Sequence, residues 1–331
     1  MNDLKLIAKQ MTCRGKGILA ADESTPTCSK RFEALGIKST ESTRNDYRST
    51  LLLTEKIEHY ISGIILFEET FYQNIKGTNT PIPTYLKQKN ILTGIKVDKG
   101  AKTLANHNSE KITEGLDDLR ERLKLYKSNG ADFAKWRAVI TIGKSIPSKA
   151  CLHSNAHALA RYASLCQENG LVPIVEPEVL MDGNHSIETC FNTTEKALQA
   201  VFYELNLLKV DLEAIVLKPN MVLSGNLSNE IIDNNQIAEM TFQALKKNVP
   251  EKVPGIAFLS GGQSGDEAAE RLNLLNQLYL NKPWNLTFSY GRALQQDALL
   301  AFSKGDLKGV KTELLKRIKM NHLASLGELI N

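Results

Sequence analysis

Eight short apolar runs recur along the chain at intervals of roughly forty residues, and nearly all end in a charged or hydroxyl residue. They are GILAADES (Asp22), GIILFEE (Glu68), LTGIKVD (Lys96), DFAKWR (Lys135, Arg137), VPIVEPE (Glu176), AIVLKPN (Lys218), GIAFLSGG (Ser260) and LTFSYGR (Arg292). The stretches between them are polar or amphipathic and long enough for a helix. Strand–helix alternation of this kind predicts an α/β fold with a parallel sheet. Eight repeats predict a (β/α)8 TIM barrel, a single domain over residues 1–331, with an N-terminal helix in 1–14 and a closing helix and short tail in 306–331. Reactive groups in such barrels sit at the C-terminal ends of the strands. Those ends carry Lys96, Lys135, Lys218 and Arg292 against Asp22, Glu68 and Glu176, a set suited to an anionic substrate and to proton transfer.

A core for 331 residues needs no disulfide or metal staple. The net charge of +4 is too mild to imply nucleic-acid or membrane binding. Five cysteines, an odd number without a CxxC pair, point to reduced thiols in a cytosolic compartment. The first residues, MNDLKLIAKQ, lack the apolar core of a signal peptide, and no apolar run approaches a membrane span. The expected location is the cytoplasm.

Apolar spacing predicts helices at 3–12, 41–60, 110–128, 152–168, 193–209 and 306–326, and another opened by Asp266 and Glu267, whose charge suits a helix N-terminus. A turn-rich connection spans 78–83. No linker or low-complexity tract divides the chain.

Lys218 is the most telling residue. It ends the run Ala214–Leu217, and Pro219 keeps its backbone extended. Burial disfavours the charged form of a lysine, and a second ammonium such as Lys135 would disfavour it further. A neutral amine is what a Schiff-base nucleophile requires. A lone lysine at a strand end is more often structural, but Lys96, Lys135 and Lys218 occur with three carboxylates. Glu176 is placed to protonate the hydroxyl leaving a carbinolamine, and Glu178 to tune it, although one of the two could simply pair with Lys135. Asp22 could accept a proton from a substrate hydroxyl, or cap the following turn.

Two segments suit phosphate. Ser260, Gly261 and Gly262 offer a hydroxyl and approachable backbone N–H groups, and Arg292 after Gly291 offers a planar fork. Barrels often bind phosphate after the last two strands. A second patch combines Ser24, Thr27, Lys30 and Arg31 with Lys96 and Arg137, although Lys30 and Arg31 read equally well as solvated surface. Two patches imply two phosphates. Other features carry less. His153 and His157 have metal-binding spacing but no glutamate pattern or third ligand in the sequence, which predicts a surface helix. Gly143-Lys144-Ser145 lacks the upstream glycine of a P-loop. Trp136 points away from Lys135 and Arg137 on its strand and belongs to packing.

GILAADES, GIKVDKG, AKWR, PIVEPE, VLKPNMV, FLSGGQS and SYGRALQ occur in an order that resembles the class I (Schiff-base) fructose-1,6-bisphosphate aldolases, from about residue 4 to 320. The resemblance implies reversible cleavage of fructose 1,6-bisphosphate to dihydroxyacetone phosphate and glyceraldehyde 3-phosphate, in glycolysis or gluconeogenesis. It implies Lys218 as the imine-forming lysine, Glu176 as its acid/base with Lys135 and Glu178 around it, and Asp22 for proton transfer at the C4 hydroxyl. Ser260, Gly261, Gly291 and Arg292 would hold the C1 phosphate. Lys96, Ser24, Thr27, Lys30 and Arg31 would surround the C6 phosphate, with Arg137 nearby. No metal or other cofactor is implied, and a homotetramer is.

Many family members end in a mobile tail with a terminal tyrosine that assists proton exchange. This sequence ends at Asn331 without one, which leaves exchange at C3 to Glu176, to a substrate phosphate, or to a slower step. Pro26 stands where a glycine is frequent and would stiffen the loop near the second phosphate. Sedoheptulose or tagatose bisphosphate are alternative substrates for the same chemistry. A barrel that mainly binds a protein partner, such as a cytoskeletal scaffold, is the alternative from another class, and no residue pattern indicates it.

Overall fold

Each apolar run becomes a parallel strand of a closed barrel in the computed structural model, which describes residues 1–330. In chain order the strands are β1 (Gly17–Ala21), β2 (Ile61–Leu66), β3 (Leu92–Lys96), the hairpin β4 (Ala101–Thr103) and β5 (Lys111–Thr113), then β6 (Phe133–Ile140), β7 (Val172–Val179), β8 (Val216–Leu217), β9 (Gly255–Phe258) and β10 (Asn285–Tyr290). The eight barrel strands follow one another around the ring and β10 closes onto β1, while β4 and β5 pair only with each other. This is a (β/α)8 TIM barrel.

The helices are α1 (Asn2–Met11), α2 (Thr25–Glu33), α3 (Glu41–Leu52), α4 (Glu68–Phe71), α5 (Ile82–Gln88), α6 (Leu119–Ser128), α7 (Lys149–Glu168), α8 (Ile187–Leu207), α9 (Asn234–Asn248), α10 (Gly265–Leu278), α11 (Arg292–Ser303) and α12 (Leu307–Leu326). Short polar side chains start many of them. Ser148, Ser186, Asp233 and Asp306 each accept a backbone N–H of the first turn, and Thr40–Thr43 and Ser264–Glu267 form reciprocal capping boxes.

Side-chain alternation sorts each strand into two layers. Outward residues such as Ala134, Trp136, Val175 and Leu217 pack with the surrounding helices in the larger core, where the Trp136 ring lies 5.6 Å from Tyr162 of α7. Inward residues Ile18, Ala20, Ile65, Phe133, Val172, Ile174, Val216 and Ala257 form a smaller core inside the barrel. Leu4, Ala8 and Met11 of α1 join this inner core and stopper its N-terminal end. Glycines make room for the Phe133 ring: a methyl group on Gly63 would stand 2.9 Å from it, and one on Gly94 closer still.

Four expected elements differ, one of them the helix expected over 193–209, which already starts at Ile187 behind the Ser186 cap and ends at Leu207. The helix expected over 41–60 ends at Leu52, because Lys56 turns left-handed (φ 61°) and Ile61 starts β2. The first half of 110–128 is not helical. The β-branched pair Ile112-Thr113 forms the hairpin edge, Gly115 and Asp118 take positive φ, and the helix begins at Leu119, keeping Leu119, Leu123 and Tyr126 as its buried face. The connection expected over 78–83 is cut short by α5, which starts at Ile82 and runs to Gln88. Asn331 of the expected tail lies outside the described residues. Among the described residues, no helix is long and apolar enough to cross a membrane.

Candidate active site

Inward positions near the C-terminal end of the barrel carry charge in place of the hydrocarbon found below. On β6 the inward series runs Phe133, Lys135, Arg137, and on β7 it runs Val172, Ile174, Glu176, Glu178. Lys135 and Glu176 therefore stand directly above an apolar layer, and they and Lys218 are all at least nine-tenths buried. Water cannot screen them from below, so their mutual attraction is strong.

Lys135 is the hub. Its Nζ lies 2.8 Å from Asp22 Oδ2, 3.6 Å from Glu176 Oε2 and 3.9 Å from Asp98 Oδ2. Lys218 Nζ lies 3.2 Å from the other Glu176 oxygen, so one carboxylate sits between two amines. Burial works against the Lys135 charge, but Asp22, Glu176 and Asp98 outweigh it and hold the ammonium well above the ordinary lysine range. Burial likewise works against ionised Asp22, yet Lys135 and then Lys218 bring its carboxyl down to about 2. Asp22 is thus bound to Lys135 and does not cap α2, whose N-cap is Ser24.

A cavity of about 780 Å³ opens over this cluster. Its wall includes Asp22, Ser24, Thr27, Arg31, Lys96, Lys135, Arg137, Glu176, Glu178, Lys218, Ser260, Gly261, Gly291 and Arg292. Of the residues singled out from the sequence, only Lys30 is not on that wall; it is exposed on α2. One end of the cavity is a backbone cradle. Gly261 and Gly262 take positive φ (52° and 85°), which side-chain-bearing residues adopt at a cost, and Gly291 packs its Cα edge against the Ala20 carbonyl. Arg292 starts α11 at the same end.

The other end is built from long cations already tied to acids. Lys96 Nζ bonds Asp98 Oδ1 at 2.6 Å, Arg31 bonds Glu23 at 2.5 Å, and Arg137 bonds Glu178. Glu178 therefore serves Arg137, while Glu176 is the carboxylate shared by the two buried lysines.

Three groups escape a reading of strand ends. Asp98 lies two residues beyond β3, almost fully buried, and bridges Lys96 and Lys135. Glu23 anchors Arg31 and accepts from Gln295 at 3.1 Å. Ser289 on β10 lines the cavity with a buried hydroxyl that has no hydrogen-bond partner among the described residues. A buried polar group left unpaired is costly unless a ligand completes it; its signal in the sequence, SY before GR, is no more than a strand residue. Elsewhere, His153 and His157 are not simply solvated: both Nδ1 atoms meet the buried carboxylate of Glu204 on α8, at 3.2 and 3.0 Å. Among the described residues, no group of three His, Cys, Asp or Glu is arranged to hold a metal ion.

Fold and site together define a barrel enzyme equipped for proton transfer on an anionic substrate. A family model described as "Glycolytic: Fructose-bisphosphate aldolase class-I" matches residues 3–331. A probable fructose-bisphosphate aldolase class 1 of Xanthomonas campestris pv. campestris is 51% identical over 97% of this chain and 96% of its own. The muscle-type fructose-bisphosphate aldolase of Lethenteron camtschaticum is 49% identical over 98% of this chain and 90% of its own. The solved structure of the Plasmodium falciparum fructose-bisphosphate aldolase, in complex with TRAP and a small-molecule inhibitor, superposes with a TM-score of 0.97 at 45% identity, covering 100% of this chain and 96% of that one. The chain belongs to the class-I fructose-bisphosphate aldolase family. Its activity is that of a carbon–carbon lyase, and its fold and mechanism class are the family's.

Proposed function

We propose that Lys218 is the imine-forming nucleophile and that Glu176, Lys135 and Asp22 move the protons of fructose 1,6-bisphosphate cleavage. The observation that carries this reading is the Glu176 carboxylate held between Lys218 (3.2 Å) and Lys135 (3.6 Å) above a dry floor. Glu176 takes a proton from the Lys218 ammonium, and the freed amine adds to the C2 ketone. Glu176 then returns the proton to the carbinolamine hydroxyl, which leaves as water. The resulting iminium draws the C3–C4 electron pair, so the imine is the electron sink. Asp22 takes the C4 hydroxyl proton as that bond breaks rather than beforehand, because Lys135 holds it too acidic to carry the proton on its own. Glyceraldehyde 3-phosphate departs, the enamine gains a proton at C3, and water releases dihydroxyacetone phosphate.

The C1 phosphate fits the cradle of Ser260, Gly261, Gly291 and Arg292. The C6 phosphate fits Lys96, Arg137, Arg31, Ser24 and Thr27, with Lys30 contributing only at long range. Ser289 supplies one more hydroxyl to the bound sugar. We place the enzyme in the cytoplasm as a homotetramer, the assembly expected for its family.

Borohydride reduction in the presence of dihydroxyacetone phosphate tests the centre of this scheme. A single adduct on Lys218 is expected, and Lys218→Met should abolish both trapping and turnover. An adduct on another lysine, or full cleavage by the Met variant, would overturn it.

A further inference from the structure

We infer that Asp98 is a positioning residue that couples a phosphate at the C6 end to the proton-moving centre. It exchanges its hold on Lys96 for a hold on Lys135 when that end fills, and so makes the bisphosphate turn over faster than the monophosphate. The inference rests on the roles proposed above for Lys96, Lys135 and Asp22. Asp98 is almost fully buried in the cavity wall. Its Oδ1 accepts from Lys96 Nζ at 2.6 Å, and its Oδ2 lies 3.9 Å from Lys135 Nζ. The other cations of the C6 end are paired elsewhere, Arg137 with Glu178 and Arg31 with Glu23. The other acids of the centre, Asp22 and Glu176, pair with Lys135 and Lys218. Among the described residues, Asp98 is thus the one carboxylate ion-paired with both the C6 end and the centre.

The carboxylate is fixed, and the lysines can shift. The Gly100 N–H donates to Oδ1 at 3.1 Å and the Arg137 N–H to Oδ2 at 3.3 Å. The loop carrying Asp98 is braced on two sides. Its Lys99 N–H donates to the Glu114 carbonyl at 2.8 Å, and the Glu114 N–H donates back to Gly100 at 3.1 Å, which extends the β4–β5 hairpin up to the site. From α6, Arg122 donates to the carbonyls of Val97 and Gly115 at 2.9 and 2.5 Å. Lys96 and Lys135 instead carry their charges on flexible stems.

Lys96 Nζ gives two of its three protons to Asp98, one to Oδ1 and one to the backbone carbonyl at 2.8 Å. A phosphate dianion that takes the third attracts the ammonium outward and stretches the Oδ1 bond. Asp98 then faces less opposing charge in a dry site, where an underpaired carboxylate is costly, and draws Lys135 across from 3.9 Å. Burial works against ionised Asp22, and Lys135 is the largest of the charges that overcome it. Moving Lys135 toward Asp98 weakens its 2.8 Å contact with Asp22. It thereby raises the basicity of the carboxylate that takes the C4 hydroxyl proton. A substrate without the C6 phosphate leaves Lys96 on Asp98 and Lys135 on Asp22.

The test supplies the missing phosphate as a separate ion. Cleavage of saturating fructose 1-phosphate is followed as phosphite replaces chloride at constant ionic strength, in wild type and in Asp98→Asn. Wild type should speed up severalfold and saturably, and the variant should lose most of that activation. In Asp98→Asn the ratio of kcat for fructose 1,6-bisphosphate to kcat for fructose 1-phosphate should fall toward one. Its KM for the bisphosphate should fall as well, because Lys96 is released to the phosphate. A merely structural Asp98 would raise that KM and lower both kcat values in proportion, which would overturn the inference, as would no activation of wild type or equal activation of the two proteins. Two controls isolate the underlying scheme. No borohydride adduct of dihydroxyacetone phosphate on Lys218 would be a failure of the imine, and a Lys96→Met variant whose KM for the bisphosphate does not rise would be a failure of the C6 patch. With both controls positive, lack of activation counts against Asp98 alone. Should Asp98→Asn fail to fold, wild-type crystals soaked in hexitol 1,6-bisphosphate, which has no ketone to react, decide the matter. Lys135 closer to Asp98 than to Asp22 supports the exchange, and Lys135 still on Asp22 with the Lys96–Asp98 bond intact sinks it.

Discussion

The centre of the catalytic mouth and its rim solve the same electrostatic problem in different ways. At the centre, Lys135, Lys218, Asp22, Asp98 and Glu176 are dry and mutually paired, so each is a condition for the others being charged. At the rim, Ser24, Thr27, Lys30, Arg137 and Arg292 are partly or fully open to solvent, where water compensates for whatever is removed. The difference teaches that equal formal charges on one cavity wall have unequal consequences, graded by depth.

That gradient can be tested from its steep end outward. Lys135→Met strands the Asp22 carboxylate in a dry pocket and takes one of two cations from Glu176 and Asp98, which keep Lys218 and Lys96. It should lower kcat on the order of 10³-fold and stability by about 3–5 kcal/mol. Steady-state kinetics and denaturant unfolding measure both, and a variant with near-native stability would show the centre to be wetter than drawn here. Asp22 offers a test by pH. Its folded pKa, about 2, lies below the ordinary 3.8, so ionised Asp22 stabilises the fold above pH 3.8. That contribution fades as pH falls from 3.8 toward about 2. Wild type should therefore exceed Asp22→Asn by on the order of 2 kcal/mol at neutral pH, a gap that narrows through this acid window. A constant gap would contradict the Lys135 pairing.

The rim should respond less. Arg292→Ala removes one charge-assisted contact to phosphate, worth about 1.5 kcal/mol or more, so KM should rise roughly tenfold or beyond with little change in stability. An unchanged KM would exclude Arg292 from the phosphate cradle. Lys30→Ala is the smallest expected effect, under about twofold in kcat/KM at physiological salt, because its exposed charge acts only through screened solvent. A large loss would mean that α2 swings inward when substrate binds.

How much of this was legible beforehand follows the physics of strands. Alternation along DFAKWR and VPIVEPE already places Lys135 and Arg137, or Glu176 and Glu178, on one face, and Trp136 on the other. The barrel and the core of the site could be read because a single periodicity governs both. Asp98 could not, since it lies in a loop whose path depends on pairing with Lys96 and Lys135 from two different strands. The hairpin β4–β5 was concealed because Leu116, Leu119 and Leu123 mimic a longer helix, while only the positive φ at Gly115 and Asp118 breaks it. Glu204 meets His153 and His157 across a helix interface that no local spacing encodes.

Phe133, wedged among glycines above the stopper of α1, turns the barrel into a blind well. Sugar, products and solvent must share a single entrance. The water molecule expelled when the imine forms, and the one that later hydrolyses the enamine's successor, both cross the same mouth as the sugar. Sealing the bottom thus leaves the covalent intermediate a single solvent-facing side.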